Sequence, residues 1–319
     1  MHNETMLLEP PKFYPWIQTA IFASFFWDGL FLVVACICTL IVVTIGLVQY
    51  VYINLHVNNE IIKHYLTWLA FMLPITAITS ILGMLFPRSS TFLNILGVCY
   101  LMICLTVIIR LMNYLFGSRV KIVQYMVTNR LKLDPNVLPF CNILPKWKPT
   151  LSRICRVEKM VYQTSFVRIT TGVILLIAVL DRSEKLHLIE NYVNALNIIS
   201  VAISAWGFEM LKKIGEEHLK PQRFGSFYNF VNIAHTIFTL QENISMILMK
   251  FDVFETGPLL TTEARSNYVA SLCYCIEALI LSISSLFVFH PKTNQMFNDT
   301  SSQGPTDEVE IPMLELERK

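Results

Sequence analysis

Between Gly29 and Tyr52 the chain runs for 24 residues without a formal charge. A helix of about 20 such residues is enough to cross the roughly 30 Å of a bilayer's hydrocarbon. Six further apolar segments follow, at 65–86, 92–115, 164–180, 192–210, 227–249 and 268–289. Charged residues are only 15% of the chain, and they crowd into the gaps between these segments. That is the distribution of spans joined by wet loops. Backbone groups in lipid must pair internally, which leaves helices or a closed barrel, and runs this long and evenly apolar do not suit barrel strands. The expected fold is all-α, a polytopic membrane protein whose seven-transmembrane-helix bundle occupies 29–289, with a basic loop at 116–163.

Residues 1–28 read as an external N-terminus whose aromatic residues (Phe13, Tyr14, Trp16, Trp27) form an interfacial lead-in, or else as an early, tilted start of the first span. No cleavable signal peptide is evident there. Residues 290–319 carry Gly, Pro, Ser and acidic side chains and read as a disordered cytosolic tail. Lys and Arg in alternate loops number 17 on one side and 6 on the other. The positive-inside rule then puts the N-terminus outside and the C-terminus in the cytosol. Asn3 opens a glycosylation sequon on the outer side; the sequon at Asn298 falls on the inner side and should stay bare.

None of the eight cysteines lies in an outer loop, so no structural disulfide is expected. Metal binding is not expected either. Cys36 with Cys38, and Cys273 with Cys275, are spaced to point to different sides of a helix. Phosphate-binding loops, dinucleotide fingerprints, zinc-protease motifs and nucleophile elbows are absent, so neither a cofactor nor enzymatic activity is expected. The basic loop is explained by orientation and by attraction to anionic membrane lipids, without a nucleic-acid partner.

Ionisable side chains inside a span are costly and therefore suspect. Glu277 lies about nine residues into the seventh segment and reads either as a path-lining carboxylate or as a helix-tying one. The sixth segment is unusually polar: Asn229, Asn232, His235, Gln241, Glu242 and Asn243. At about 100° per residue, with Asn229 at zero, Asn232 falls near 300°, Thr236 near 340° and Asn243 near 320°. His235 and Glu242 lie beside that stripe, near about 240° and 220°, and Gln241 lies away from it, near about 120°. The stripe suits a water-accessible route or, alternatively, hydrogen-bond glue between helices. Arg110 and Arg168 fall near the cytosolic ends of their segments, where each would snorkel to headgroups or hold a carboxylate or sulfate.

Several stretches, in order, resemble the organic solute transporter alpha family, which includes the transmembrane protein 184 branch. These are Tyr65-Leu66-Thr67-Trp68-Leu69 through Leu73-Pro74 to Pro87-Arg88, Cys99-Tyr100, Ala205-Trp206-Gly207-Phe208, Leu219-Lys220-Pro221 with Gln241, and Cys275-Ile276-Glu277. Leu101 stands where the family has a Glu. The resemblance alone singles out Gln241. It implies facilitated, ion-uncoupled movement of amphipathic organic solutes such as bile acids and steroid conjugates across a plasma or endosomal membrane. It also implies a single-span beta-type subunit as partner, with homodimerisation a further possibility. The family's run of lipidated cysteines is reduced here to Cys141, a candidate for palmitoylation. Seven spans also describe receptors, but the third span ends Arg110-Leu111-Met112-Asn113-Tyr114 and the seventh lacks an Asn-Pro-x-x-Tyr. A receptor and a non-transporting scaffold are the alternative readings.

Overall fold

The computed structural model describes residues 15–136, 145–181, 185–251 and 262–289. Asn3, Cys141 and the acidic tail lie outside the described residues. Among the described residues there are nine α-helices: α1 (Pro15–His56), α2 (Glu60–Ala70), α3 (Met72–Leu85), α4 (Ser90–Phe116), α5 (Arg119–Thr128), α6 (Leu151–Leu180), α7 (Leu186–His218), α8 (Phe224–Lys250) and α9 (Thr262–Val288). The strand-like pairing described is one isolated antiparallel bridge, Leu133 with Trp147. The all-α expectation holds.

Six helical stretches are long and apolar enough to cross a membrane: Phe26–His56, Glu60–Leu85, Ser90–Phe116, Leu151–Leu180, Leu188–Glu216 and Ala264–Val288. Each covers one of the seven apolar segments. The remaining segment is α8, whose 27 residues extend about 40 Å but are too polar to join the six.

Three boundaries differ from the sequence reading. The aromatic lead-in is not a separate piece, because α1 runs unbroken from Pro15 for 42 residues. The second segment is two helices, α2 and α3, with Phe71 between them. Pro74 has no N–H to offer the Ala70 carbonyl one turn back, and its ring crowds that turn. The loop at 116–163 is largely helical, since α6 begins at Leu151. Its first turns carry Arg153, Arg156 and Lys159 on one face while Ile154, Val157 and Val161 are buried on the other. Averaged hydropathy sees only the charges there.

α4 lies at the centre. Leu101, Met102, Leu105, Ile108, Ile109, Leu111 and Met112 are all buried, so it is covered around most of its circumference. It packs on α2, α3, α6, α8 and α9. α3 also packs on α1 and α9, and α7 lies outermost against α6. Outward faces are apolar: Ile37 and Leu40 on α1, Phe166 and Val173 on α6, Leu196 and Ile199 on α7, Ile280 and Phe287 on α9 are exposed. A bundle clothed this way suits hydrocarbon as its solvent.

Helices approach closely where side chains are small. A Cβ on Gly207 would sit 3.1 Å from the Val157 carbonyl oxygen and 3.2 Å from the Met160 Cβ, so this glycine lets α7 lie against the α6 backbone. Polar ties reinforce such contacts: the Thr171 hydroxyl donates to Asn197 Oδ1 at 2.9 Å, and the Ser165 hydroxyl donates to the Met102 carbonyl at 2.8 Å. Such bonds contribute on the order of 1 kcal/mol each in a membrane.

Candidate functional site: the polar side of α8

α8 begins tightly held. The Tyr228 ring stacks on Phe208 of α7 with centroids 3.9 Å apart, and its hydroxyl donates to the Phe208 carbonyl. One turn further, Asn232 Nδ2 donates to Glu209 Oε1 of α7 at 2.6 Å. Further still, Glu242 accepts from Nη2 of Arg168 on α6, forming an ion pair. Asn229 and Asn243 are half-buried, and Asn243 donates to the Thr239 carbonyl of its own helix at 2.7 Å. From Asn229 to Asn243 this side of α8 extends about 21 Å.

Phe227, Val231, Ala234 and Phe238 bury the opposite side. Gln241 belongs with that side: its Nε2 donates to the Ala270 carbonyl of α9 at 2.7 Å. His235 is buried between the two sides, and its Nε2 has no hydrogen-bond partner. α8 packs its backbone on α9, α4 and α7, whereas α6 and α8 do not pack closely. The Arg168–Glu242 pair therefore joins two helices whose backbones do not pack closely.

Arg168 does not sit at a helix end. With α6 starting at Leu151, it is 17 residues inside, about 26 Å along the axis. The expectation placed it near a boundary because the charged first turns of α6 were read as loop. Cys99, His235 and Tyr274 lie within electrostatic reach of Arg168. Tyr274 also lies within reach of Glu277, three residues further along α9. Glu277 is half-buried, and its Oε2 is buried without a hydrogen-bond partner. Arg110 is exposed and sits eleven residues beyond Cys99 on α4, about 16 Å away along the axis, so the two arginines do not share a site.

The resemblance motifs occupy positions of contact. Tyr100 stacks on Trp68 and donates to the Trp68 carbonyl at 3.0 Å, just before the break between α2 and α3. Cys275 is buried where α1, α3 and α9 meet; Thr39 donates to its sulfur at 3.6 Å. Trp206 Nε1 donates to the Pro135 carbonyl at 2.9 Å, fixing the segment between α5 and α6 against α7.

Sequence reasoning missed a second polar centre. Glu158 on α6 has a side chain only 2% exposed. Its Oε1 accepts from Asn113 Nδ2 at 2.9 Å, and its Oε2 accepts from Arg119 Nε at 2.9 Å and pairs with Nη2 at 2.9 Å. A Glu breaking the run Ile154, Val157, Val161 was the available signal.

The two cavities described among the helices are small. One, lined by Thr76, Thr79, Asn94, Gly97, Phe238 and Tyr274, measures about 10 Å³, room for one water at most.

Comparison with known proteins agrees with this architecture. The family described as organic solute transporter Ostalpha matches residues 31–294. Organic solute transporter alpha-like protein 3 of Caenorhabditis elegans is 27% identical over 270 residues, covering 83% of this chain and 78% of the relative. Alpha-like protein 1 of the same organism is 25% identical over 248 residues, covering 76% and 64%, and alpha-like protein 2 is 21% identical over 272 residues, covering 84% and 80%. No solved structure matches the chain. A match over most of the chain's length, on a bundle of membrane-length helices, means that this multi-pass membrane protein belongs to the organic solute transporter Ostalpha family.

Proposed function

We propose that the chain is the alpha-type subunit of a facilitative transporter for amphipathic organic solutes, with bile acids and steroid conjugates as the substrate class. It crosses the plasma membrane seven times, α8 included, with the N-terminus outside, and works with a single-span beta-type subunit. The observation that carries the reading is the run of polar side chains on α8 that reaches α7 through Asn232–Glu209 and α6 through the Arg168–Glu242 pair. Family membership and the printed names of the relatives support it.

The physical logic follows from the solute. A steroid body prefers hydrocarbon and needs no protein shield, whereas its carboxylate or sulfate needs a polar track. A groove along α8 supplies that track without an enclosed chamber, in keeping with the small cavities of the bundle. The movement uses no covalent chemistry.

The test is uptake of a labelled steroid sulfate and a bile salt in cells expressing the chain alone or with a candidate single-span partner. Uptake that needs the partner and persists without sodium or proton gradients is expected. Glycosylation at Asn3 marks surface delivery and an outside N-terminus. Surface-delivered protein with its partner but no uptake of either solute sinks the reading.

A further inference from the structure

The Arg168–Glu242 pair is asymmetric in two ways. The Arg168 side chain is 11% exposed and the Glu242 side chain 30% exposed, so Glu242 is the more accessible partner. The contact runs through one guanidinium nitrogen and one carboxylate oxygen. A guanidinium presents a planar fork that a carboxylate or sulfate takes with two parallel bonds. Glu242 therefore neutralises Arg168 without saturating it.

We propose that Glu242 is an internal competitor for an anion site on Arg168. In the resting protein its carboxylate holds the guanidinium and spares the membrane interior an unpaired cation. An amphipathic organic anion displaces it and takes Arg168 through two oxygens. Selectivity for anionic over uncharged solutes is then set by how readily Glu242 yields. This rests on the transport reading, but it is tested by binding, which needs no flux.

The full chain in nanodiscs of zwitterionic lipid is titrated with a labelled steroid sulfate and with an uncharged glycoside of the same ring system. Binding of the glycoside shows that a variant is folded. Glu242→Gln should raise the sulfate-to-glycoside affinity ratio about tenfold, because the competitor is gone. Arg168→Gln should lower that ratio at least about tenfold, and the double variant should behave as Arg168→Gln. If Glu242→Gln lowers the ratio as Arg168→Gln does, the pair is a structural tie and the proposal is wrong. Adding anionic lipid should leave the Glu242→Gln gain in place; its abolition would assign the site to lipid headgroups and overturn the solute assignment. Absence of flux in cells despite these binding shifts would sink the transport reading and leave the competitor intact.

Discussion

Asp134 shows how one carboxylate positions a segment. Burial alone would raise its pKa, but the Lys213 hydrogen bond at 3.1 Å, the Asn136 N–H at 3.1 Å and the charges of Lys213 and Lys146 outweigh that and hold it below its ordinary value of 3.8. A carboxylate lowered in the fold contributes stability that is complete above the unfolded value and lost as pH falls through the folded one. The tie to α7 should therefore hold at neutral pH and release in acid. Trp147 and Trp206 meet edge to face at 6.3 Å beside it and report on the contact. Their fluorescence should stay constant from pH 7 to about 4 and change below the ordinary carboxylate range. Asp134→Asn should show the released spectrum already at pH 7. An identical acid transition in that variant would mean that another group controls the segment. None of this was legible in the sequence, because Asp134 and Lys213 are 79 residues apart and no periodicity links them. Glu277, Arg168 and Glu242 were legible for the opposite reason: a charge inside an apolar run stands out without knowledge of its partner.

At the scale of elements, hydropathy found the helices and misjudged their ends. α6 and α7 reach well beyond their apolar cores as amphipathic turns, and the segment at 65–86 breaks where Pro74 removes a backbone donor. Glycine positions carry information that averaging loses. The α6–α7 contact depends on Gly207, where a Cβ already lies 3.1 Å from backbone. Gly207→Val should push the two helices apart and destabilise the protein by about 1–3 kcal/mol, the usual cost of overpacking. Thermal unfolding of purified protein in detergent measures it. Because Thr171–Asn197 and Thr164–Ser200 tie the same two helices elsewhere, the fold should survive with a lowered Tm. An unchanged Tm would show that α7 moves outward freely and that its contact with α6 is not tight.

At the scale of the whole molecule, α8 is long enough to span a membrane but too polar to join the six, and specific polar contacts hold it to its neighbours. Its polar residues divide between two tasks according to the side they occupy. Gln241 faces α9 and bonds the Ala270 carbonyl, a structural tie. Asn232 faces α7 and bonds Glu209, whose carboxylate is partly exposed. The sequence wheel separated these two sides, but it could not say which neighbouring helix each one met. If the route follows the Asn232 side, Asn232→Ala should lower solute flux per surface molecule roughly fivefold, the equivalent of one lost hydrogen bond, besides the loss of about 1 kcal/mol of stability that removing the Glu209 tie brings. Gln241→Ala should also cost about 1 kcal/mol of stability but leave flux per surface molecule close to that of the parent. Uptake normalised to surface protein, with Tm measured in parallel, separates the two. The reverse pattern, with flux following Gln241, would move the route to the α8–α9 side and leave the Asn232 contact as helix-to-helix glue.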